Sequence, residues 1–316
     1  MATYLGVDLG ATTVRAVVGD RAGRIAGSHS AATPQGPTGV AVTEAVLETV
    51  REACADAGVS PGAVVAVGIG TIGPLDPSAG AVVGPPNLPD DVERIHLRGP
   101  LETLCSTGRI TLHNDAAAAA LGERFFGDGP ENLVYLTVST GIGAGAVVDG
   151  HVLSGWDGNA AEMGHLTVDP DPETGRPCGC GGTGHWEAYC SGANVPGYAR
   201  DLHAGAATSL PLDDPDLDAA DVFGAAGEDA FASRVVERIG RWNAVGVAAL
   251  VHTYAPRTVV VGGGVARNHP DHVLDPVRER LPDLVATTVP TIRLTAFGDA
   301  AVVKGALASA ITGGAR

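Results

Sequence analysis

The chain has 316 residues, 45% of them hydrophobic, which is enough for two lobes that each bury a core. Its formal net charge of −16 argues against binding to nucleic acid, which needs a basic face, and against docking on an anionic membrane. Lys304 is the only lysine. This acidic, lysine-poor composition indicates either adaptation to a salty cytoplasm, where salt screens the self-repulsion of the surface, or a GC-rich genome.

The five cysteines are an odd set spread over a long chain, which does not indicate a disulfide framework. No apolar run reaches the roughly 18 residues that a membrane span requires. The sequence also shows no signal peptide. We therefore expect a cytoplasmic protein.

The first part of the chain is predicted to open with a β-hairpin that continues as a meander. Residues 4–9 and 14–18 are buried strands on either side of a small-residue turn, and a third strand lies near 24–29. The elements predicted next are a helix over 40–57, a strand over 63–69, a Gly/Pro-rich loop over 70–89, a short helix over 101–106, a strand over 110–113 and an Ala-rich helix ending near Phe126.

The same pattern restarts with a strand over 133–138, a small-residue turn and a returning strand over 145–150, which suggests an internal duplication. The order of elements indicates an α/β protein. Predicted after these are a Gly/Cys-rich loop over 175–184, helices near 186–189 and 194–203, an acidic stretch over 210–221, a long helix over 228–254, a strand over 258–261, one more helix and strand, and a closing helix over 300–311.

Two turns carry small residues that suit phosphate binding. One is Gly10-Ala11-Thr12-Thr13, preceded by Asp8, and the other is Ser139-Thr140-Gly141-Ile142-Gly143. Glycine lets the backbone approach an anion, and amides with Thr hydroxyls can surround phosphate oxygens, while Asp8 would hold Mg²⁺. Each turn taken alone is equally typical of an ordinary hairpin. The sequence contains no Walker A motif, which argues against a P-loop kinase.

A third glycine cluster follows a hydrophobic strand at Gly262-Gly263-Gly264, where Gly263 and Gly264 would allow flat contact with an adenosine. Many parallel strands end in glycine without binding anything.

The segment His113-Asn114-Asp115 places two polar side chains at the start of the Ala-rich helix. One of them would cap the helix, and the other is a candidate base for a sugar hydroxyl that attacks phosphorus.

A metal site is predicted from His165 together with Cys178, Cys180 and His185. Two thiolates and two imidazoles form a closed tetrahedral set, which favours structural over catalytic zinc. The metal would order a Gly-rich loop that has little apolar content. The alternatives are free thiols in a loose loop, or Cys190 replacing one of the ligands.

Together these motifs resemble the ROK family of sugar kinases along nearly the whole chain. The resemblance implies an actin-like ATPase (ribonuclease H-like) fold, with two lobes and a cleft between them, formed by residues 1–120 plus 301–316 and by residues 121–300. The matching segments are Asp8-Leu9-Gly10-Ala11-Thr12, Pro86-Asn87-Leu88-Pro89, Asn114-Asp115-Ala116, Ser139-Thr140-Gly141-Ile142-Gly143, Glu162-Met163-Gly164-His165, Cys178-Gly179-Cys180-Gly181-Gly182 continuing to Glu187, and Val261-Gly262-Gly263-Gly264.

The resemblance also implies roles for residues. Asp115 would be the catalytic base, and His165 would place one ring nitrogen on zinc and the other on the sugar. ATP would be bound with Mg²⁺ at Asp8, Gly10, Thr12, Thr13, Thr140, Gly141, Gly263 and Gly264. The sugar hydroxyls would be held by Asn87, Asn114, Glu162, His165 and Glu187.

Two positions depart from the family pattern. Ala11 and Thr13 stand where the family usually has glycine and lysine, which puts the affinity for ATP at low salt in question. His185 stands where the family usually has a third Cys ligand, and histidine is a competent zinc ligand.

The expected function is an ATP-dependent hexose kinase acting on the 6-hydroxyl, with glucose favoured, as at the entry to glycolysis. The alternatives are a kinase for fructose, mannose, allose or an N-acetylhexosamine. A sugar-responsive regulator is the remote alternative, because such regulators carry a DNA-binding domain before the first phosphate loop and Asp8 lies almost at the start of the chain. Family habit implies a homodimer or homotetramer.

Overall fold

The computed structural model describes residues 2–89, 91–171 and 173–314. No helix within these ranges is long and apolar enough to cross a membrane. The chain packs as two compact units. Unit 1 comprises Met1–Tyr135, Gly145–Ala161 and Asp299–Arg316, and unit 2 comprises Leu136–Ala144 and Glu162–Gly298. The lobe boundaries expected at residues 120 and 300 stay a prediction, and residues 1, 90, 172, 315 and 316 of those lobes lie outside the described residues.

The described chain contains runs of strands separated by helices, and four α-helices follow one another between β11 and β12. The strands are β1 (Thr3–Leu9), β2 (Thr13–Gly19), β3 (Ile25–Ala32), β4 (Val64–Thr71), β5 (Leu75–Asp76), β6 (Ala81–Val83), β7 (Arg94–His96), β8 (Ile110–Asn114), β9 (Leu133–Val138), β10 (Ile142–Val148), β11 (His151–Val152), β12 (Thr258–Gly262) and β13 (Thr291–Leu294). The helices are α1 (Gly39–Asp56), α2 (Arg98–Cys105), α3 (Asp115–Phe126), α4 (Glu187–Cys190), α5 (Val195–Leu202), α6 (Ala219–Ala225), α7 (Ala230–Tyr254), α8 (Gly264–Asn268), α9 (Pro270–Val273), α10 (Asp275–Leu284) and α11 (Ala301–Thr312).

The sheet of unit 1 has the order β3-β2-β1-β4-β8, with β1 to β3 antiparallel and β1, β4 and β8 parallel. Alternate residues of β1 enter two different cores, as the two-residue period of a strand requires. Leu5 and Val7 join the core that contains residues of α1, and Tyr4 packs with Leu307 of α11. A Cβ on Gly6 would lie 2.6 Å from the Leu307 nitrogen, so glycine allows α11 to lie directly on the sheet.

The second sheet has the order β11-β10-β9-β12-β13, in which β10 and β11 are antiparallel and β12 and β13 are parallel. In both sheets the order by sequence is third, second, first, fourth and fifth strand. This shared order matches the internal duplication that the sequence suggests.

Three regions differ from the predicted elements. The Gly/Pro-rich loop over 70–89 contains β5 and β6, which form a small sheet with β7, and two- or three-residue strands are too short to show a period. The acidic stretch over 210–221 includes the start of α6, which carries a capping box made by Asp218 and Asp221. The single helix expected after β12 is broken into α8, α9 and α10, and α9 and α10 have proline in their first turn.

Candidate active site

The parallel strands of unit 1 end together and bring polar residues to one edge of the sheet. Leu9 of β1 pairs with Thr71 of β4, and Thr71 pairs with Asn114 of β8, so Asp8 lies one residue before this row. Ligands of open α/β sheets bind at this carboxyl edge. The topology therefore places Asp8 and the start of α3 where a substrate can be bound.

Asn114 is the N-cap of α3, and its Oδ1 accepts the Ala116 N–H at 2.9 Å. Asp115 Oδ1 accepts the same N–H at 2.7 Å. Asn114 therefore takes the capping role that the sequence left open between the two residues. Its amide nitrogen lies toward Gly73, where a Cβ would be 3.6 Å away. The carboxylate of Asp115 belongs to the first turn rather than to the cap.

Burial raises the pKa of Asp115 above its usual value, and the hydrogen bond from Ala116 opposes that rise. A raised pKa makes the ionised carboxylate a stronger base, which suits proton abstraction from a hydroxyl. Asp8 is 7% exposed, and burial raises its pKa to about 7. Arg15 opposes this rise, whereas the Asp115 carboxylate adds to it. Two acids that repel each other in this way are a fitting place for a divalent cation.

The first glycine turn is tied to the segment that follows β3. Gly10 N donates to Thr13 O at 3.0 Å and closes the turn. Thr33 Oγ1 donates to Gly10 O at 2.8 Å, and Gln35 Nε2 donates to Ala11 O at 2.9 Å. These hydrogen bonds to the carbonyls of Gly10 and Ala11 fix the backbone of the turn. The side chain of Thr12 is exposed. The sequence gives no local signal for the roles of Thr33 and Gln35, because they lie more than twenty residues away.

The second glycine turn belongs to unit 2 and is closed by Ser139 N, which donates to Gly141 O at 2.9 Å. Ile142 N donates to Glu187 Oε2 at 2.8 Å, so a residue predicted to hold the sugar contacts this turn directly. Thr140 is exposed, and Gly141 is half-buried. The turn therefore exposes the Thr140 hydroxyl, and its conformation is fixed by the two hydrogen bonds described above.

The third glycine cluster also belongs to unit 2. Gly263 follows β12 with φ +91° and is the N-cap residue of α8. A Cβ at this position would lie 2.3 Å from Val138 O, so only glycine fits. The close approach joins the end of β12 to the end of β9, next to the second glycine turn. Gly264 begins α8 and is half-buried.

Among the predicted sugar ligands, Asn114 ends β8 and Glu187 begins α4, whereas the other three lie on turns or beside them. In unit 1, Asn87 is exposed on a turn that buried Leu88 anchors in the core. In unit 2, Glu162 is exposed and precedes a 3-10 turn formed by Met163–His165. The segments around His165 and Glu187 are joined, because Trp186 N donates to Leu166 O at 2.9 Å.

The four predicted metal ligands meet in unit 2. One donor atom from each of His165, Cys178, Cys180 and His185 lies within 4.8 Å of the others. Cys178 Sγ is 3.7 Å from His165 Nδ1, and Cys180 Sγ is 3.2 Å from His185 Nδ1. Metal bonds of about 2.0–2.3 Å in a tetrahedron put ligand atoms roughly 3.5 Å apart, so this N₂S₂ set fits zinc.

Cys190 is not part of this cluster. It is fully buried, its Sγ donates to Ile239 O at 3.5 Å, and burial raises its pKa well above the usual value.

The Gly/Cys-rich loop over 175–184, called the metal loop below, is held at its base by protein contacts alone. Arg176 Nε donates to Ala188 O at 2.8 Å, and Arg176 N donates to Tyr189 Oη at 2.8 Å. A metal would therefore order the tip of the loop rather than its base.

Comparison with known proteins identifies the family. The sequence matches the ROK family over residues 4–312. The chain belongs to the ROK family. It is 37% identical to a glucokinase of Pyrobaculum calidifontis over 313 residues, which covers 98% of this chain and 95% of the relative.

Two solved structures of ROK proteins are similar along their whole length. A ROK hexokinase from Thermus thermophilus has a TM-score of 0.84 at 35% identity and covers 98% of both chains. A ROK glucokinase from Streptomyces griseus, in complex with glucose and AMPPNP, has a TM-score of 0.76 at 31% identity, covering 98% of this chain and all (100%) of that one. Membership of the ROK family confirms the α/β, actin-like fold predicted from the sequence.

Proposed function

We propose that this protein transfers the terminal phosphate of ATP to the 6-hydroxyl of a hexose, and that glucose is the preferred hexose. The observation that carries the proposal is Asp115, a first-turn carboxylate at the carboxyl edge of the parallel strands, whose pKa is raised by burial. Similarity to glucokinases over nearly the whole chain supports the same reaction.

In this reaction Asp115 accepts the proton of the sugar hydroxyl as its oxygen attacks the terminal phosphorus, and ADP leaves with the electrons of the broken P–O bond. Asp8 would hold Mg²⁺, which supplies positive charge to the phosphate oxygens when bound. The turn at Gly10, Thr12 and Thr13 and the turn at Thr140 and Gly141 offer amides and hydroxyls for the phosphates. Gly263 and Gly264 offer a flat surface for adenosine.

The sugar is held, in this proposal, by Asn87, Asn114, Glu162, His165 and Glu187. Carboxylates and a ring nitrogen are acceptors that suit a polyol with several hydroxyl donors. His165 Nδ1 lies toward Cys178, which leaves Nε2 for a sugar hydroxyl. The metal loop and the orientation of the sugar would then depend on the same imidazole.

Structural zinc at His165, Cys178, Cys180 and His185 is part of the proposal, and the mutual distances of the four donors support it.

We further propose that the protein is a homodimer or homotetramer, as is usual in the family. We also propose that its surface is adapted to salt, because the net charge is −16 and the chain has a single lysine. Salt adaptation predicts activity that persists or rises in molar salt, because screening relieves the self-repulsion of the acidic surface.

The test is a panel of sugars and phosphoryl donors with Mg²⁺, assayed at low and at molar salt, with product position read by NMR. Glucose 6-phosphate from glucose and ATP is the expected product, at the highest kcat/KM of the panel. A higher kcat/KM with fructose, mannose, allose or an N-acetylhexosamine would move the assignment to that sugar. Sugar binding with no phosphoryl transfer from ATP, another nucleotide or polyphosphate would favour a regulator instead.

A further inference from the structure

Glu187 contacts the second glycine turn directly. Its Oε2 accepts the Ile142 N–H at 2.8 Å, within the turn at 139–143. A Cβ on Gly141 would lie only 2.6 Å from the same oxygen. The absence of a side chain at Gly141 is therefore what allows the carboxylate to lie over the turn.

The segment that begins with Glu187 holds the turn at its other end as well. Gly192 N donates to Ser139 O at 2.7 Å, and Ala193 N donates to Thr140 O at 3.1 Å. A Cβ on Gly192 would lie 3.0 Å from Ser139 O, so this approach also depends on glycine. Residues 187–193 thus bond to both arms of the turn that is proposed to bind phosphate.

The backbone of Glu187 is itself firmly placed. The preceding Trp186 is fully buried, and its Nε1 donates to Asn243 Oδ1 at 2.9 Å. A Cβ on Gly246 would lie 2.3 Å from the Trp186 ring, which shows how closely the indole packs on α7. Because the backbone before Glu187 is fixed by the packing of Trp186, the Glu187 carboxylate can determine the conformation of the turn.

We propose that Glu187 is a positioning residue for the phosphate-binding turn, in addition to its proposed contact with the sugar. This inference rests on the proposed kinase function. One oxygen fixes the Ile142 amide, and with it the conformation of Thr140 and Gly141, whether or not sugar is present. A residue that only binds sugar has no such effect on the nucleotide.

The distinguishing measurement is the affinity for ATP with Mg²⁺ in the absence of any sugar, by calorimetry, with glucose affinity measured separately. Glu187→Ala removes the acceptor, and we expect ATP affinity to fall about tenfold or more, the typical effect of losing a hydrogen bond to a charged group. Glu187→Gln keeps a carbonyl oxygen for Ile142 N. It should lose glucose affinity while ATP affinity stays within about threefold of the wild type.

Two further variants complete the experiment. Gly141→Ala keeps the carboxylate but displaces it from the turn, and it should weaken ATP binding without sugar as Glu187→Ala does. Asn87→Ala, at a predicted sugar ligand of unit 1, should weaken glucose binding alone. Circular dichroism confirms that each variant is folded, and the Gly141→Ala arm remains informative if Glu187→Ala does not fold.

Unchanged ATP affinity in folded Glu187→Ala or Gly141→Ala would overturn the inference and leave Glu187 as a sugar ligand only. A wild-type protein that binds ATP but phosphorylates no sugar would overturn the proposed function, while the dependence of ATP affinity on Glu187 would still be measured. The two failures are therefore distinguishable.

Discussion

Arg15 and Asp8 are directly opposite each other on the antiparallel strands β2 and β1, with Arg15 Nη1 3.7 Å from Asp8 Oδ2. Arg15 Nη1 also donates to Asp299 O at 2.6 Å, which fixes the guanidinium beside the carboxylate. Arg15 follows Thr13 by two residues on the same strand, so both side chains are on the same face. Arg15 thus places a cation next to the turn in which Thr13 stands at the position of the expected lysine.

We predict that Arg15→Gln lowers kcat/KM for ATP by about tenfold or more, because fixed positive charge stabilises the transferring phosphoryl group. The loss should be smaller in high salt, where charge effects are screened. Arg24→Gln is the matched control, since Arg24 pairs with Asp20 on the exposed surface of the same unit. If both variants keep wild-type kinetics, Arg15 serves only the packing of the sheet.

Asp115→Asn removes the proposed base without changing the shape of the side chain. We expect kcat to fall by about 100-fold or more, with little change in KM for glucose, because general-base catalysis contributes on this scale. Folding stability should not fall, since burial disfavours the charged carboxylate. Asp275→Asn, at the first-turn acid of α10, is the control and should keep wild-type kcat. Full turnover by Asp115→Asn would refute the assignment of the base.

The raised pKa of Asp8 makes stability depend on pH in the absence of Mg²⁺. The folded pKa is about 7 and the usual value is 3.8, so the folded state holds its proton more tightly than the unfolded state. This favourable contribution is present at low pH and is lost as pH rises toward 7. Asp8→Asn should therefore gain stability over the wild type at pH 8, by up to about 4 kcal/mol, and much less at pH 5.

Urea unfolding of both proteins at pH 5 and pH 8, in chelator, measures this difference. Mg²⁺ added at pH 8 should stabilise the wild type and have a smaller effect on Asp8→Asn. If Asp8→Asn and the wild type differed in free energy of unfolding by the same amount at pH 5 and at pH 8, the raised pKa of Asp8 would be contradicted.

The sequence predicts the motifs of the site better than the contacts between them. Strands β1 and β12 are mostly hydrophobic, and α3 follows an Asn cap, so local pattern suffices for each. The hydrogen bond between Glu187 and Ile142 joins residues 45 positions apart, and neither local sequence pattern predicts it. The hydrogen bond between Gln35 and Ala11 could not be predicted either. Side-chain contacts between residues far apart in the sequence depend on the packing of the folded chain.

His113 gives the protein a sensitivity to acid. It is buried against Ser309, with Nε2 2.8 Å from Ser309 Oγ, and burial lowers its pKa to about 4 from 6.5. The folded state then binds the proton less tightly than the unfolded state, so this contribution is fully present above pH 6.5 and is lost as pH falls toward 4. Between pH 7 and 5 the loss is about 2 kcal/mol.

His113→Gln should therefore lose less stability than the wild type between pH 7 and pH 5, although it is less stable at pH 7 because the packing changes. His151→Gln, at an exposed histidine, is the matched control. The measurement is urea unfolding at the two pH values. An identical pH dependence of His113→Gln and wild type would show that the pKa of His113 is the same in the folded and the unfolded protein.

Metal binding can be separated from the protein contacts that hold the base of the metal loop. We expect about one zinc per chain in freshly purified protein, by elemental analysis. His185→Ala should lose the metal, because three ligands leave the site open, whereas His185→Cys should retain it by supplying a thiolate. In His185→Ala, hydrogen exchange should rise at residues 178–183 and stay low at the Arg176 amide, whose hydrogen bond to Tyr189 Oη needs no metal. Wild-type protein without zinc, or His185→Ala with a full equivalent, would contradict the Cys₂His₂ assignment.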